Sequence, residues 1–294
     1  MSGLAGRAER IKLARLLHRK PEQLAALEAC APEDLKRLRE RVASALFDQY
    51  GDAFRRVAAT TGVVPAGLAA QIGHRVFGPM LCARVAGHMQ AAKAAEVAAK
   101  LPIEFLADVC LEMDPRRARA VIAGIPVAQV MEVARVLARR REFITMGRFV
   151  DALGDRAIRA VIEALPDDAA LLEIAFFIES PQRLEAALRG LPDARLHGLM
   201  RTAVNESATL WPEAVALTAR LPAPMRKRII EAAARQEPAL LAQMLECVAE
   251  QDLWDVAEPL LLQIEPLIPN ADKVRLMRGL QARGKPIKPE SRRK

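Results

Sequence analysis

Soft ligands are scarce in this chain, and their densest group lies between residues 74 and 89: His74, Met80, Cys82, His88 and Met89. Imidazole, thiol and thioether donors could hold a transition metal or a haem. With glycines at 62, 67, 73, 78 and 87 admitting close approach, they could also line a pocket for a small apolar ligand. The spacing disfavours a metal. His74 and His88 stand 14 residues apart and Cys82 and His88 six apart, whereas two ligands on one helix face need a separation of three or four. Tight helix crossing with methionine as filler accounts for the same residues. His74, Cys82 and His88 are therefore a candidate ligand pocket to which no metal or cofactor is assigned.

The second group is cationic. Arg139, Arg140 and Arg141 run directly into Glu142-Phe143-Ile144-Thr145-Met146-Gly147-Arg148, and Arg116, Arg117 and Arg119 cluster after Pro115, with Arg135 between the two. Basic residues beside Phe143 and Met146 could hold an acidic partner, so Arg116, Arg117, Arg119, Arg135, Arg139, Arg140, Arg141, Thr145 and Arg148 form the candidate binding set. Helix-end arginines that complement the dipole, with Thr145 as the next N-cap, would explain part of that set without any ligand. No residue is assigned a catalytic role: HExxH, GxSxG, Walker A, GxGxxG and EF-hand patterns do not occur. Cys30, Cys82, Cys110 and Cys247 form no CxxC pair, which points to reduced, mainly structural thiols.

The elements that must carry these residues are periodic. The amphipathic template i, i+3, i+4, i+7 is filled from Leu106, Ala118, Val130, Met146, Ile158, Leu171, Leu184 and Leu196, with steps of 12, 12, 16, 12, 13, 13 and 12. Helices near ten residues joined by two- or three-residue turns give such steps. The single step of 16 contains the Arg139–Arg141 run and reads as a loop longer than its neighbours, a usual place for a binding feature. Weaker copies follow at 214–221, 241–248 and 253–260. Proline marks the corners at Leu101-Pro102, Ile125-Pro126, Leu165-Pro166, Leu191-Pro192 and Leu221-Pro222, since it is tolerated in the first turn of a helix but not inside one. Asp114-Pro115 and Ser180-Pro181 add an N-cap side chain before the proline.

A ten-residue helix is marginal alone, so each stripe must be buried against neighbours, as in a stacked array. The expectation is an all-α fold, a right-handed-type superhelix or solenoid of short antiparallel helices. The run Ala94-Ala-Glu-Val-Ala-Ala-Lys-Leu-Pro102, with Phe105-Leu-Ala-Asp-Val109, Met113-Asp-Pro-Arg-Arg-Ala118 and Val121-Ile-Ala-Gly-Ile-Pro126, resembles the intracellular N-domain of MgtE-type magnesium transporters. That family shares a helical superhelix with the flagellar motor-switch protein FliG. The resemblance covers about residues 94–204. It implies a HEAT-like domain used for regulation or protein contact; with no CBS pair and no membrane region recognisable, it implies neither magnesium gating nor metal ligands.

The flanks complete the outline. Residues 1–60 read as charged amphipathic helices, with Leu35, Leu38, Val42, Ala45 and Leu46 as one stripe and Arg37, Arg39, Glu40 and Arg41 as a solvated face. Residues 61–100 are the Gly-rich helical segment, where Gly78-Pro79 must break or kink the helix. Residues 101–265 hold the repeats, and 266–294 a last helix with a basic, disordered tail. The 294-residue chain carries 44 Lys+Arg against 36 Asp+Glu, but nine of those bases and a single acid fall in residues 273–294, leaving the rest balanced at 35 against 35. Net charge thus gives no reason to expect a nucleic-acid face on the body. Charges interrupt every apolar run before the roughly 18 residues needed to span a bilayer, and charge stands where a signal peptide would be apolar, so a cytoplasmic location is expected. The leading expectation is a non-enzymatic adaptor or regulatory protein that binds a protein partner, with oligomeric state open. Two others stay open: nucleic-acid binding through the arginine edge and tail, and a ligand or metal carrier or enzyme using residues 62–90.

Overall fold

A computed structural model describes residues 2–48, 50–206, 210–270 and 273, and every regular element among them is helical. The basic tail beyond residue 273 lies outside the described residues. The chain opens with α1 (Ser2–Leu16), a 3-10 segment at Pro21–Leu27, α2 (Pro32–Asp48), α3 (Gly51–Val63) and α4 (Ala66–Ile72). A π-helical turn, Gly73–Phe77, leads into α5 (Gly78–Ala86), α6 (Ala91–Ala98), α7 (Ile103–Glu112), α8 (Arg119–Ala123) and α9 (Val127–Arg139). Then come α10 (Phe143–Val150), α11 (Asp155–Ala164), α12 (Asp168–Phe176), α13 (Pro181–Arg189) and α14 (Asp193–Asn205). The last elements are α15 (Leu210–Arg220), α16 (Ala223–Ala234), α17 (Pro238–Glu250), α18 (Trp254–Ile264) and a 3-10 turn at Glu265–Leu267. No helix among the described residues is long and apolar enough to cross a membrane.

The chain divides into two compact units, residues 2–183 and residues from 184 onward, with the boundary inside α13. In the first unit α1 lies along α2, and helices pack on the neighbour two places along: α5 on α7, α7 on α9, α9 on α11, α4 on α6, α6 on α8 and α10 on α12. Template positions supply its core, including Leu106, Val109, Ile122, Val133, Leu137 and Met146. A Cβ at Gly147 would meet the Ile174 carbonyl oxygen and Phe177 Cβ at 2.6 Å each, so the missing side chain lets α10 approach the end of α12. Gly78 breaks the helix as its sequence requires, at φ 74°, where a glycine costs least. In the second unit α14 packs on α15, α16 and α17, and α15 and α16 on α18, around Val204, Val215, Leu241, Met244, Val248 and Leu261.

Four expectations need correction. On α2 the buried face is Leu35, Arg39, Ala43 and Phe47, while Leu38 and Leu46 are exposed. The stripe is displaced by one position because acids elsewhere in the fold neutralise Arg39. The step of 16 is a longer helix and not a longer loop: α9 has 13 residues, and only Arg140, Arg141 and Glu142 connect it to α10. Thr145 is no N-cap. Glu142 takes that place after Arg141 turns the chain at φ 55°, and Thr145 is buried inside α10. Pro115 does not open a helix either, since the Asp114 side chain caps a turn through the Arg116 N–H and α8 begins only at Arg119.

Candidate functional site

Arg39 follows the four-residue rhythm of the buried face of α2, and its side chain is only 3% exposed. Such a charge persists only if paired and hydrogen-bonded. Its Nε donates to Glu9 Oε2 on α1 and its Nη2 to Glu179 Oε1, each at 2.8 Å. Lys12, one turn from Glu9, donates to Glu9 Oε1 at 2.9 Å and lies 3.5 Å from Glu179. Buried Glu9 and half-buried Glu179 thus cancel the two buried bases. Burial pushes the Lys12 ammonium below its ordinary value, offset only in part by Glu9 and Glu179. Burial acts the other way on Glu179, but the field of Lys12, Arg39, Lys36 and Arg148 outweighs it and holds the carboxyl below its ordinary value.

This network borders a cleft of about 300 Å³ whose other walls are the Asp114–Arg119 turn, the end of α10 and the start of α13. Asp114 accepts from the Arg116 backbone N–H at 3.1 Å and from its guanidinium at 3.2 and 3.0 Å, and Arg116 also reaches Glu40 at 2.9 Å. Burial would raise Asp114, yet these bonds hold it below its ordinary value. Arg183 is spent as well: it pairs with Asp155 at 2.9 Å and donates to the carbonyls of Val150 and Leu153.

Three cations on the cleft are not used up. Arg148, 19% exposed, makes no hydrogen bond among the described residues, and its one ion-pair contact is Asp114 at 3.9 Å. Burial pushes its guanidinium below the ordinary value, and Asp114 restores it only partly. Arg119 on the rim is exposed and has neither ion pair nor hydrogen bond among the described residues. Lys36 has Glu179 at 3.6 Å. Asp151 opposes them but is itself disfavoured as an anion, raised by burial and by the charge of Glu179 despite hydrogen bonds from the Ser180 and Glu179 backbone. Six basic and four acidic side chains line the cleft; with Arg39 and Lys12 set against Glu9 and Glu179, and Arg183 against Asp155, Lys36, Arg116, Arg119 and Arg148 face Glu40, Asp114 and Asp151.

The rest of the candidate arginine set is locally neutralised. Arg139 and Arg140 both reach Glu104, at 2.8 and 2.6 Å, Arg140 also reaches Asp108 at 2.6 Å, and Arg141 reaches Glu173 at 2.9 Å. Arg117 holds Asp48 through two bonds of 3.2 Å and lies 4.2 Å over the Phe47 ring, and Arg135 pairs with Glu132. The Gly-rich candidates face different aromatic rings: His74 meets Phe105 edge-on at 4.8 Å, and His88 lies 5.1 Å from Phe47. Cys82 packs toward Gly73, where a Cβ would come within 3.0 Å of its sulfur. No three His, Cys, Asp or Glu side chains among the described residues are grouped to hold a metal ion.

Arg116, Arg119 and Arg148 therefore line one cleft, while Arg117, Arg135 and Arg139–Arg141 serve cross-helix or local pairs. Lys36, Arg39, Asp151 and Glu179 were missed. The available signal was a charge on an apolar rhythm at Arg39, but its partner at 179 is too distant in sequence for spacing to suggest. Compared with family models, curated proteins and solved structures, the chain matches none.

Proposed function

We propose that the protein is a non-enzymatic helical binding module whose first unit holds an acidic segment of a protein partner in the cleft beside α2. The observation that carries this reading is a pair of guanidiniums on the cleft, Arg148 and Arg119, that no acid holds by a hydrogen bond, with Lys36 beside them. An incoming carboxylate would relieve the burial cost of Arg148 and gain charge-assisted hydrogen bonds. By contrast, most of the arginine edge that would favour nucleic acid, Arg117, Arg135 and Arg139–Arg141, has its guanidiniums matched to acids.

In the same reading, the helices are a short superhelix of the kind the MgtE-type N-domain resemblance implies. The packing of α5, α7, α9 and α11 in succession, with α4, α6 and α8 as a second series, supports it, because stacked helical pairs contact at every second helix. A fluorescent Asp/Glu-rich peptide carrying a photo-crosslinker tests the cleft on the full chain. Saturable binding that weakens with salt, with crosslinks at α2, residues 114–119 and Arg148, is expected. Crosslinks confined to other surfaces, or no saturable binding, would refute the reading.

A further inference from the structure

We infer that the cleft is a phosphomonoester site, in which Arg148, Arg119 and Lys36 receive the phosphate dianion of a phosphoserine or phosphothreonine in the bound segment. This rests on the cleft being the binding site proposed above and names the group it selects. The two guanidiniums of the cleft without a hydrogen-bonded acid, Arg148 and Arg119, together match the charge of about −1.5 to −2 on a phosphomonoester at neutral pH, whereas one aspartate or glutamate brings a single negative charge. The available donors match in kind. Arg148 offers a planar fork with no hydrogen bond of its own among the described residues, suited to two phosphate oxygens, and Arg119 and Lys36 approach from the rim and from α2.

Repulsion from the four carboxylates of the cleft is already met. Asp114 and Glu40 are held by Arg116, and Glu179 by Arg39 and Lys12. Burial and the Glu179 charge disfavour the ionised form of Asp151. The volume of about 300 Å³ stands at the lower end of ligand pockets, which span roughly 300–1,000 Å³, so it suits one phosphorylated side chain more than an extended ligand. Arg116 and Arg183, saturated by their own carboxylate and carbonyl partners, hold the walls in place and need not rearrange.

The test titrates the full chain with one short Asp/Glu-rich peptide in three forms, carrying serine, phosphoserine or glutamate at its centre, and with free phosphoserine and inorganic phosphate as separate probes. Arg148→Met, Arg119→Ala and, as a cation outside the cleft, Arg159→Ala are compared by titration after circular dichroism has checked their folding. The phosphoserine form should bind at least about tenfold tighter than the other two. Arg148→Met should remove at least about tenfold and Arg119→Ala several-fold, as expected for lost charge-assisted hydrogen bonds, with Arg159→Ala unchanged. Arg119 is exposed and unpaired, so its variant remains informative if Arg148→Met fails to fold.

Equal binding of all three peptides, still dependent on Arg148 or Arg119, would overturn the phosphate inference and leave the acidic-segment reading standing. Binding of free phosphoserine or inorganic phosphate, lost in the cleft variants, with no peptide binding, would keep the phosphomonoester chemistry and overturn the protein-segment reading. Phosphate-dependent binding indifferent to both cleft variants, or no binding of any probe, would overturn the inference outright.

Discussion

Arg39→Met is the most demanding test of the charge network in the first unit. The substitution preserves much of the side chain's apolar length but deletes a guanidinium that is 3% exposed and bonded at 2.8 Å to both Glu9 and Glu179. Two carboxylates would then share Lys12, with Lys36 at 3.6 Å from Glu179 as the remaining cation. Breaking a buried ion pair from one side costs about 3–5 kcal/mol, because the charge left behind has no solvent to replace its partner. With a urea dependence of about 2 kcal/mol per molar, the midpoint of the first unit should fall by about 1.5–2.5 M. The assay separates the units: both tryptophans, Trp211 and Trp254, lie in the second, so tryptophan emission follows that unit while far-ultraviolet circular dichroism follows both. The helical signal should lose an early fraction while the tryptophan transition moves less. A destabilisation below about 1 kcal/mol would place Arg39 among ordinary surface ion pairs and rule out a structural role for its charge.

Further expectations follow from contacts elsewhere. Gly147→Ala should destabilise by about 2–3 kcal/mol, as overpacking against backbone does, whereas Gly62→Ala, with open space around it in α3, should stabilise by about 0.5–1 kcal/mol; thermal melts of both variants give the comparison. Glu179 and Asp114 lie below their ordinary values of 4.5 and 3.8, so the stability they contribute is present above those values and lost as pH falls through their folded ones. Asp151 has the opposite sign, because a raised carboxyl costs stability once it ionises. Asp151→Asn should therefore gain stability at neutral pH and lose that gain below about pH 3.8, read as urea midpoints across a pH series. Burial pushes the Cys82 and Cys110 thiols up to about 11 and about 12, so neither should react with a disulfide reagent at pH 8 until denaturant is added.

Periodicity made the helices legible, since stripes beginning at Leu106, Val130, Ile158, Leu171, Leu184 and Leu196 fall on α7, α9, α11, α12, α13 and α14. The prolines placed several boundaries, with Pro102, Pro126, Pro192 and Pro222 at the N-caps of α7, α9, α14 and α16. α16 itself escaped notice, because its buried residues Met225, Ile230 and Ala232 do not fill the template. Most of the cleft was also illegible. Arg116, Arg119 and Arg148 stood out as local clusters of charge, but which arginines would be consumed by Glu104, Asp108, Asp48 or Glu173 depends on neighbours about 32–69 positions away. Arg39 was misassigned because polarity usually marks the solvated face, and here tertiary partners reversed that rule.

The bond from Arg39 to Glu179 spans 140 residues, against 28 to 40 for the bonds from Arg139, Arg140, Arg141, Arg183 and Arg228 to their cross-helix partners. Each of those shorter links closes a modest loop and can form while its unit is only partly folded. The long one cannot form until both ends of the first unit have arrived, so it should be absent from the folding transition state. In stopped-flow chevrons, Arg39→Met should accelerate unfolding and leave the refolding rate nearly unchanged. The Arg39–Glu179 pair is then a latch on the finished unit, setting how long it stays folded more than how quickly it folds.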